Sequence, residues 1–300
     1  MKAKLLLLII IAIVLKTKGQ QTPLFSEHLF NKLLVNPALS GNFKTFNGNV
    51  FHRRQWEGIS GAPQTSSLTS DIPLFDQKVG IGLNFISDKI GIYDNTDLSL
   101  SYAYHIQFNK SKLSFGLQGG FSYLNANYLS VRYSYDNNTS DKAFSNNTNV
   151  YTPIFGAGCY FQTNQFYIGL SVPNLTNTNK DVFHYTSKKP VYLMSGYVYR
   201  LSRNIIIKPS ILIRYTSGAP ISMDLSTNIW LKKTISFGVS FRPSDCIVSM
   251  IELKLNRFLK VGFSHDFNIS PLSKFNKGSN ELMLTYQLAR ENSKYLTMQY

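Results

Sequence analysis

The sequence predicts an all-β protein: a transmembrane antiparallel up-and-down β-barrel of about fourteen strands, preceded by a short N-terminal helical segment. Three observations predict this class. The chain begins with a secretory signal peptide, no later apolar stretch is long enough for a spanning helix, and apolar and polar residues alternate through most of the rest. Only helices and closed barrels pair every backbone polar group in hydrocarbon, so a membrane protein without spanning helices must be a barrel.

The signal peptide is predicted to cover residues 1–19. Lys2 and Lys4 precede an unbroken apolar run over 5–15, and Thr17 and Gly19 are the small residues expected before a cleavage site at Gln20. A membrane-anchoring helix is the alternative, but it needs roughly 20 apolar residues and this run is much shorter. The protein is therefore expected to be exported.

Composition and charge favour a membrane barrel and exclude some partners. The chain has 18 Tyr, 21 Phe and 19 Gly, and only 16% of its residues are charged. Aromatic girdles and close strand contacts explain such a bias, although a soluble β-sandwich can also be aromatic-rich. The formal charge of +15 comes from scattered residues without a basic run, which argues against a nucleic-acid partner. The positive sign of the net charge fits attraction to anionic lipid headgroups or to an acidic partner.

Strict alternation defines the individual strands. Within residues 111–124, for example, Leu113 and Phe115 alternate with Ser114 and Gly116, as in a strand with one apolar and one polar face. The predicted strands cover residues 45–54, 64–74, 78–88, 96–108, 111–124, 153–162, 165–173, 191–201, 204–215, 221–231, 233–243, 245–256, 258–267 and 279–289. An even strand number is the rule for bacterial outer-membrane barrels.

The connectors alternate in length, with one exception. Tight turns at 75–77, 109–110, 163–164, 202–203, 232 and 257 are interleaved with longer connectors at 55–63, 89–95, 125–152, 174–190, 216–220 and 268–278, whereas the connector at 243–244 is short. Outer-membrane barrels place short turns in the periplasm and long loops outside. We therefore expect an integral protein of the bacterial outer membrane with both termini in the periplasm.

The ends of the mature chain depart from the strand pattern. In the segment 20–44, Phe25, Leu29 and Leu33 recur at helical spacing up to Asn36-Pro37, which predicts a short amphipathic helix on the periplasmic side or inside the barrel mouth. An ordered lead-in without a function is the alternative. The barrel is predicted to cover 45–289, followed by a polar tail over 290–300.

Charged residues within the strands are predicted to face the lumen. A cation on the lipid face at the midplane would cost roughly 2–4 kcal/mol, which forces these side chains inward. The predicted lumenal charges are Arg200, Lys208, Arg214, Asp224, Arg242, Glu252, Lys254, Lys260, Asp266 and Glu281. They suit a salt-bridged, hydrated interior; a charge-selective channel or a lumen that contacts cargo are the alternatives.

No catalytic constellation, metal site or cofactor is predicted. The five histidines lack metalloprotease spacing, and no G-x-S-x-G elbow is present. Because outer-membrane hydrolases build sites from His, Ser and Asp, His105 and His265 are the residues to test for that possibility. Cys159 and Cys246 are expected to be unpaired thiols rather than a disulfide.

Short motifs outside the alternation carry a family resemblance. They include Asn36-Pro37 within Leu34–Gly41, Arg53-Arg54-Gln55-Trp56, Gly61–Thr65, Gly80-Ile81-Gly82, Ser101–His105 and Gly278–Leu282 with Glu281. In this order, over about residues 21–289, the chain resembles the PorP/SprF family of Bacteroidetes outer-membrane proteins. Asn280 stands where that family often has His.

The resemblance implies a non-enzymatic accessory of type IX secretion. Such a barrel would assist the export or surface anchoring of a cognate secreted protein, such as a large gliding adhesin, and would also contact periplasmic secretion components. Asn36, Pro37, Arg53, Arg54, Trp56 and Glu281 are the candidate partner-binding residues. The rival hypothesis is a passive diffusion or uptake channel for small solutes.

Overall fold

The computed structural model describes residues 31–130, 147–176 and 189–288. The predicted signal peptide, the start of the predicted N-terminal segment and the predicted tail therefore lie outside the described residues. Within the described ranges, no helix has the length and apolar character needed to cross a membrane.

The described residues form fifteen strands in one antiparallel sheet that closes on itself, because β10 pairs with both β8 and β11. The strands β8 and β9 both pair with β10 and act as one interrupted strand, so the barrel has fourteen positions around its wall. The predicted fourteen-stranded antiparallel barrel is confirmed. The strands are β1 Asn47–Arg54, β2 Gln64–Leu74, β3 Val79–Ile90, β4 Tyr93–Gln107, β5 Ser111–Ala126, β6 Thr148–Thr163, β7 Phe166–Val172, β8 Pro190–Tyr197, β9 Tyr199–Arg200, β10 Ile205–Thr216, β11 Ser222–Leu231, β12 Ile235–Arg242, β13 Cys246–Lys254, β14 Leu259–Asn268 and β15 Ser279–Gln287.

The two faces of the wall differ in chemistry, as strand alternation requires. Large apolar side chains such as Leu100, Leu117 and Val239 point outward and are exposed, whereas small and polar side chains point inward and are buried. The outer surface thus suits hydrocarbon, and the interior is polar.

The connectors divide the barrel into two ends. The turn end carries the short connectors 75–78, 108–110, 164–165, 201–204, 232–234 and 255–258, and the loop end carries the others. The connector between β3 and β4 is a two-residue turn rather than the loop predicted at 89–95. Both strands continue past the predicted bounds, since Ile90 pairs with Tyr93, and the chain turns at Gly91, whose φ is 58°.

The N-terminal helical segment consists of 3-10 turns. Turns at Lys32–Leu34 and Pro37–Leu39 replace the predicted amphipathic helix over the residues that are described. Asn36 separates them because its extended backbone interrupts the helix, and its side chain accepts a hydrogen bond from the Ala38 amide. Two further 3-10 turns lie at the loop end, at Tyr128–Ser130 and Pro271–Lys274.

Candidate functional site in the lumen

Residues 31–42, the lumenal segment, lie inside the barrel rather than beside it. Every residue of this segment except Lys32 is buried, and the Pro37–Leu39 turn contacts β4, β5 and β6. The segment leads into β1 through residues 43–46, so it occupies the lumen from the turn end. Sequence reasoning proposed either the periplasmic side or the barrel mouth, and the structure gives the segment a deeper position.

Hydrogen bonds fix the middle of the lumenal segment to three strands. Ser40 Oγ lies 2.6 Å from Ser101 Oγ, and Ser171 Oγ donates to the Val35 carbonyl at 2.6 Å. The Asn36 side chain donates to the Cys159 carbonyl at 3.0 Å. Because these partners belong to β4, β6 and β7, the segment ties together strands that are not all neighbours.

His105 has a structural environment. Its Nε2 lies 2.9 Å from the Ser40 carbonyl, and its Nδ1 lies 2.7 Å from Ser114 Oγ. Since a carbonyl oxygen can only accept, Nε2 carries the proton and Nδ1 accepts from the Ser114 hydroxyl. Nε2 therefore holds the lumenal segment, and the bond from Ser114 on β5 fixes the orientation of the ring.

The end of the lumenal segment is fixed near the turn end by charged groups. Asp71 accepts hydrogen bonds from the Gly41 amide at 3.0 Å and from the Asn47 side chain at 3.1 Å. Lys112 Nζ donates to the Asn42 carbonyl at 3.3 Å, and the Asn42 side chain donates to Gln162 at 3.1 Å. A buried carboxylate and a buried ammonium thus each find a polar partner on the segment or its continuation.

An apolar cluster fills the space around these hydrogen bonds. Val35, Ala38 and Leu39 pack with side chains from the facing wall, namely Tyr160, Tyr167, Tyr192, Met194 and Leu212. Leu34 packs separately against Phe51 and Met283 on β1 and β15. The segment therefore has apolar contacts on two sides of the lumen.

Inward-facing glycines allow the segment to approach the wall. A Cβ added at Gly80 would overlap the Ser40 carbonyl, one at Gly116 would overlap the backbone of Pro37 and Ala38, and one at Gly158 would overlap the Asn36 side chain. These glycines lie on β3, β5 and β6 and form a smooth track under the segment. Their signal in the sequence is glycine on the polar face of an otherwise apolar-alternating strand, which sequence reasoning did not use.

Lys32 is the one residue of the lumenal segment that is only half-buried. Its ammonium lies 3.7 Å from the centre of the Tyr167 ring, a cation–π contact.

A buried ionic cluster lies in the loop-end half of the lumen. Arg53 contacts Asp266 at 2.6 Å and Glu281 at 2.9 Å, and all three side chains are at most 2% exposed. Arg242 contacts Asp224 at 2.6 Å and Asp245 at 3.2 Å. Of the candidate motif residues, Arg53 and Glu281 therefore come together as an ion pair.

The other predicted lumenal charges have different surroundings. Glu252 is buried and receives Lys260 Nζ at 2.8 Å, and the same ammonium lies 5.1 Å from the centre of the Trp230 ring. Arg200 is exposed at the barrel rim of the turn end, where the two-residue β9 ends; its cross-strand partner is the buried Ile206. Of the remaining predicted lumenal charges, Lys208 and Arg214 are buried, and Lys254 is half-buried.

The remaining motif residues lie at the loop end and in the lumen. Arg54 is exposed, and Trp56 is half-buried, with a φ of 48° and its amide donating to Ser279 Oγ at 3.2 Å. Asn36 and Pro37 are buried in the lumenal segment. The structure thus does not bring the six candidate residues into one site.

The described residues contain no cluster of His, Cys, Asp and Glu that could hold a metal ion. Both cysteines are free: Cys159 is half-buried in the wall, and Cys246 is buried beside Arg242.

A closed barrel with an apolar outer face and an ion-paired interior belongs to the class of integral outer-membrane β-barrels. Residues 17–286 match the family described as type IX secretion system membrane protein PorP/SprF, so the chain belongs to that family. The family predicted from the sequence motifs is confirmed.

Solved structures support the fold. The chain is similar to the Acinetobacter baumannii outer membrane protein Omp33, with a TM-score of 0.51, 10% identity, and coverage of 83% of this chain and 100% of that one. It is equally similar to the Ralstonia pickettii toluene transporter TbuX, with a TM-score of 0.51, 8% identity, and coverage of 91% and 96%. No curated protein matches the sequence. At such low identity these likenesses concern the barrel alone.

Proposed function

We propose that this protein is a non-enzymatic barrel that assists the export or surface anchoring of one cognate secreted protein in type IX secretion. Membership of the secretion family supports the setting. The observation that carries the non-channel role is the lumenal segment, which is buried and hydrogen-bonded to the wall from β2 to β7. A segment fixed inside the lumen narrows the path that a small solute would take through the barrel.

In this proposal the loop end faces the cell surface and the turn end faces the periplasm, as short turns do in outer-membrane barrels. Arg54 and Trp56 are then the motif residues accessible to a secreted protein, for example the C-terminal domain of a large adhesin. Arg53 and Glu281 support them from below as a buried pair, and Asn36 and Pro37 hold the lumenal segment.

Export is tested in cells by deleting the gene and comparing the proteins present at the cell surface with those of the wild-type strain. We expect one large surface protein to be lost, and restored by the wild-type gene. Restoration by R54E/W56A should be impaired, whereas restoration by the matched loop-end variant K274E/K277E should be complete. An unchanged surface proteome in the deletion strain would contradict the proposal.

The channel alternative is tested with purified protein in planar bilayers. The proposal predicts no steady conductance from the wild-type barrel, because the lumenal segment fills part of the pore. A steady open pore, with entry of small sugars into proteoliposomes, would favour the solute channel instead.

A further inference from the structure

The turns at the turn end carry an excess of exposed positive charge. Five of the six turns contribute exposed basic side chains: Lys78, Lys110, Arg203, Lys232, Lys233 and Arg257. Asp76 is the exposed carboxylate in these turns, all of which the structure describes. We call these six basic residues the basic collar.

The loop-end connectors are balanced by comparison. In their described parts, Lys189, Lys274 and Lys277 stand beside the two carboxylates Glu57 and Asp245, whereas the turns have six basic residues and one carboxylate. The buried ionic cluster near this end is also paired, since Arg53 and Arg242 both contact carboxylates. Among the described connectors, the excess of positive charge therefore lies at the turn end of the barrel.

The basic surface continues from the collar into the lumen. Lys254 and Lys260 lie on the inward face of β13 and β14 beside the Arg257 turn, and Lys260 remains 19% exposed despite its pair with Glu252. Anionic lipid headgroups surround the outside of a barrel and do not enter its mouth. A polypeptide can contact both the collar and the mouth, so the inward continuation favours a protein partner over lipid.

We propose that the basic collar and the adjoining mouth form a docking surface for an acidic segment of a water-soluble protein. The charges lie on five turns around the rim, so a partner would cover the turn end instead of touching one strand. Such a surface steers association through long-range attraction and is sensitive to salt. This inference names the chemistry of a partner on the turn side and takes its biological setting from the proposed secretion function.

The test uses the full mature chain in phosphatidylcholine nanodiscs and a fluorescent poly-L-glutamate peptide, with poly-L-glutamine as the uncharged probe. The collar variant is K78E/K110E/K233E, which changes three different turns. The matched control is K89E/K274E/K277E at the loop end, which changes the formal charge equally. Lys89 forms an exposed pair with Asp94, and losing such a pair costs little stability.

We expect the wild-type protein to bind poly-L-glutamate at low salt and to bind poly-L-glutamine far less. The collar variant should lose about tenfold in affinity, and the control should stay within about threefold, because local charge governs steering. Equal losses in the two variants, or no binding by the wild type, would overturn the proposal. A parallel preparation uses mixed phosphatidylcholine and phosphatidylglycerol. If the wild type there fails to bind the peptide but retains phosphatidylglycerol more than the collar variant does, that result overturns the proposal in favour of a lipid surface.

Two checks keep the result interpretable. Heat-modifiable migration on gels shows whether each variant is folded, and the milder K78Q/K110Q/K233Q replaces the collar variant if that one fails to fold. The two measurements are independent: the peptide-binding assay uses purified protein, and the export assay measures the surface proteome of cells. Failure of this inference is therefore distinguishable from failure of the proposed secretion role.

Discussion

Arg53 illustrates how one residue couples distant parts of the chain. Its guanidinium contacts Asp266 on β14 and Glu281 on β15, which makes it the centre of the loop-end ionic cluster. Alternation predicted that Asp266 and Glu281 face inward. It could not predict the pairing, because the residues are more than two hundred positions apart and register fixes which inward side chains meet.

Replacing Arg53 with Ala is expected to destabilise the barrel by about 3–5 kcal/mol, because two buried carboxylates lose their cation. Urea unfolding in detergent, followed by tryptophan fluorescence, measures the change. Arg54→Ala is the matched control, since Arg54 is adjacent but exposed. Equal stability of the two variants would contradict the importance of this pair.

Glycine residues on the inner wall allow the lumenal segment to approach the strands closely. Gly116→Ala should destabilise the docked lumenal segment by about 1–3 kcal/mol, because the new methyl group overlaps the Pro37–Ala38 backbone. Gly119→Ala on the same strand meets nothing within 4 Å and should have little effect. Limited proteolysis of the folded barrel measures release of the segment; equal cleavage of the two variants would argue against the track.

At the scale of elements, the strands were predictable and the lumenal segment was not. Each strand carries its own signal, because its outward residues face hydrocarbon and its inward residues do not. The lumenal segment is held by backbone carbonyls, small hydroxyls and glycine contacts, none of which leaves a periodic pattern. Its apolar residues suggested a helix, but Asn36 and Pro37 confine it to two short turns.

Docking of the lumenal segment can be tested by cross-linking. In a background without Cys159 and Cys246, the pair S40C/S101C should form a disulfide readily, because the two hydroxyls lie 2.6 Å apart. S40C/S226C is the control, since Ser226 pairs with Ser240 on β12. Peptide mapping after oxidation gives the yield, and equal yields would show that the segment does not keep this position.

At the scale of the whole molecule, the outward apolar surface defines the protein as a membrane barrel. Leu117 is 64% exposed on the outer wall, while Phe75 is 75% exposed at a turn tip. The membrane location followed from the sequence because lipid imposes the same demand on every strand. The excess of positive charge in the turns did not follow from the strand pattern, because alternation fixes which face a strand residue takes and says nothing about the charge of turn residues.

Leu117→Arg should destabilise the folded barrel in liposomes by roughly 2–4 kcal/mol, and Phe75→Arg by at most about 1 kcal/mol, because the cost of a cation falls toward the interface. Equilibrium unfolding with reversible insertion measures both values. A larger effect at Phe75 than at Leu117 would contradict the assigned position of the barrel in the bilayer.

The ion pairs of Arg53 have a consequence for biogenesis. They cross the seam where β1 meets β15, and the two carboxylates belong to the last hairpin of the described residues, β14–β15. A chain cut short before that hairpin leaves the guanidinium without a counter-ion inside a half-made wall. The guanidinium is therefore neutralised only once β1 has met β14 and β15, so closure of the wall and pairing of this charge depend on each other.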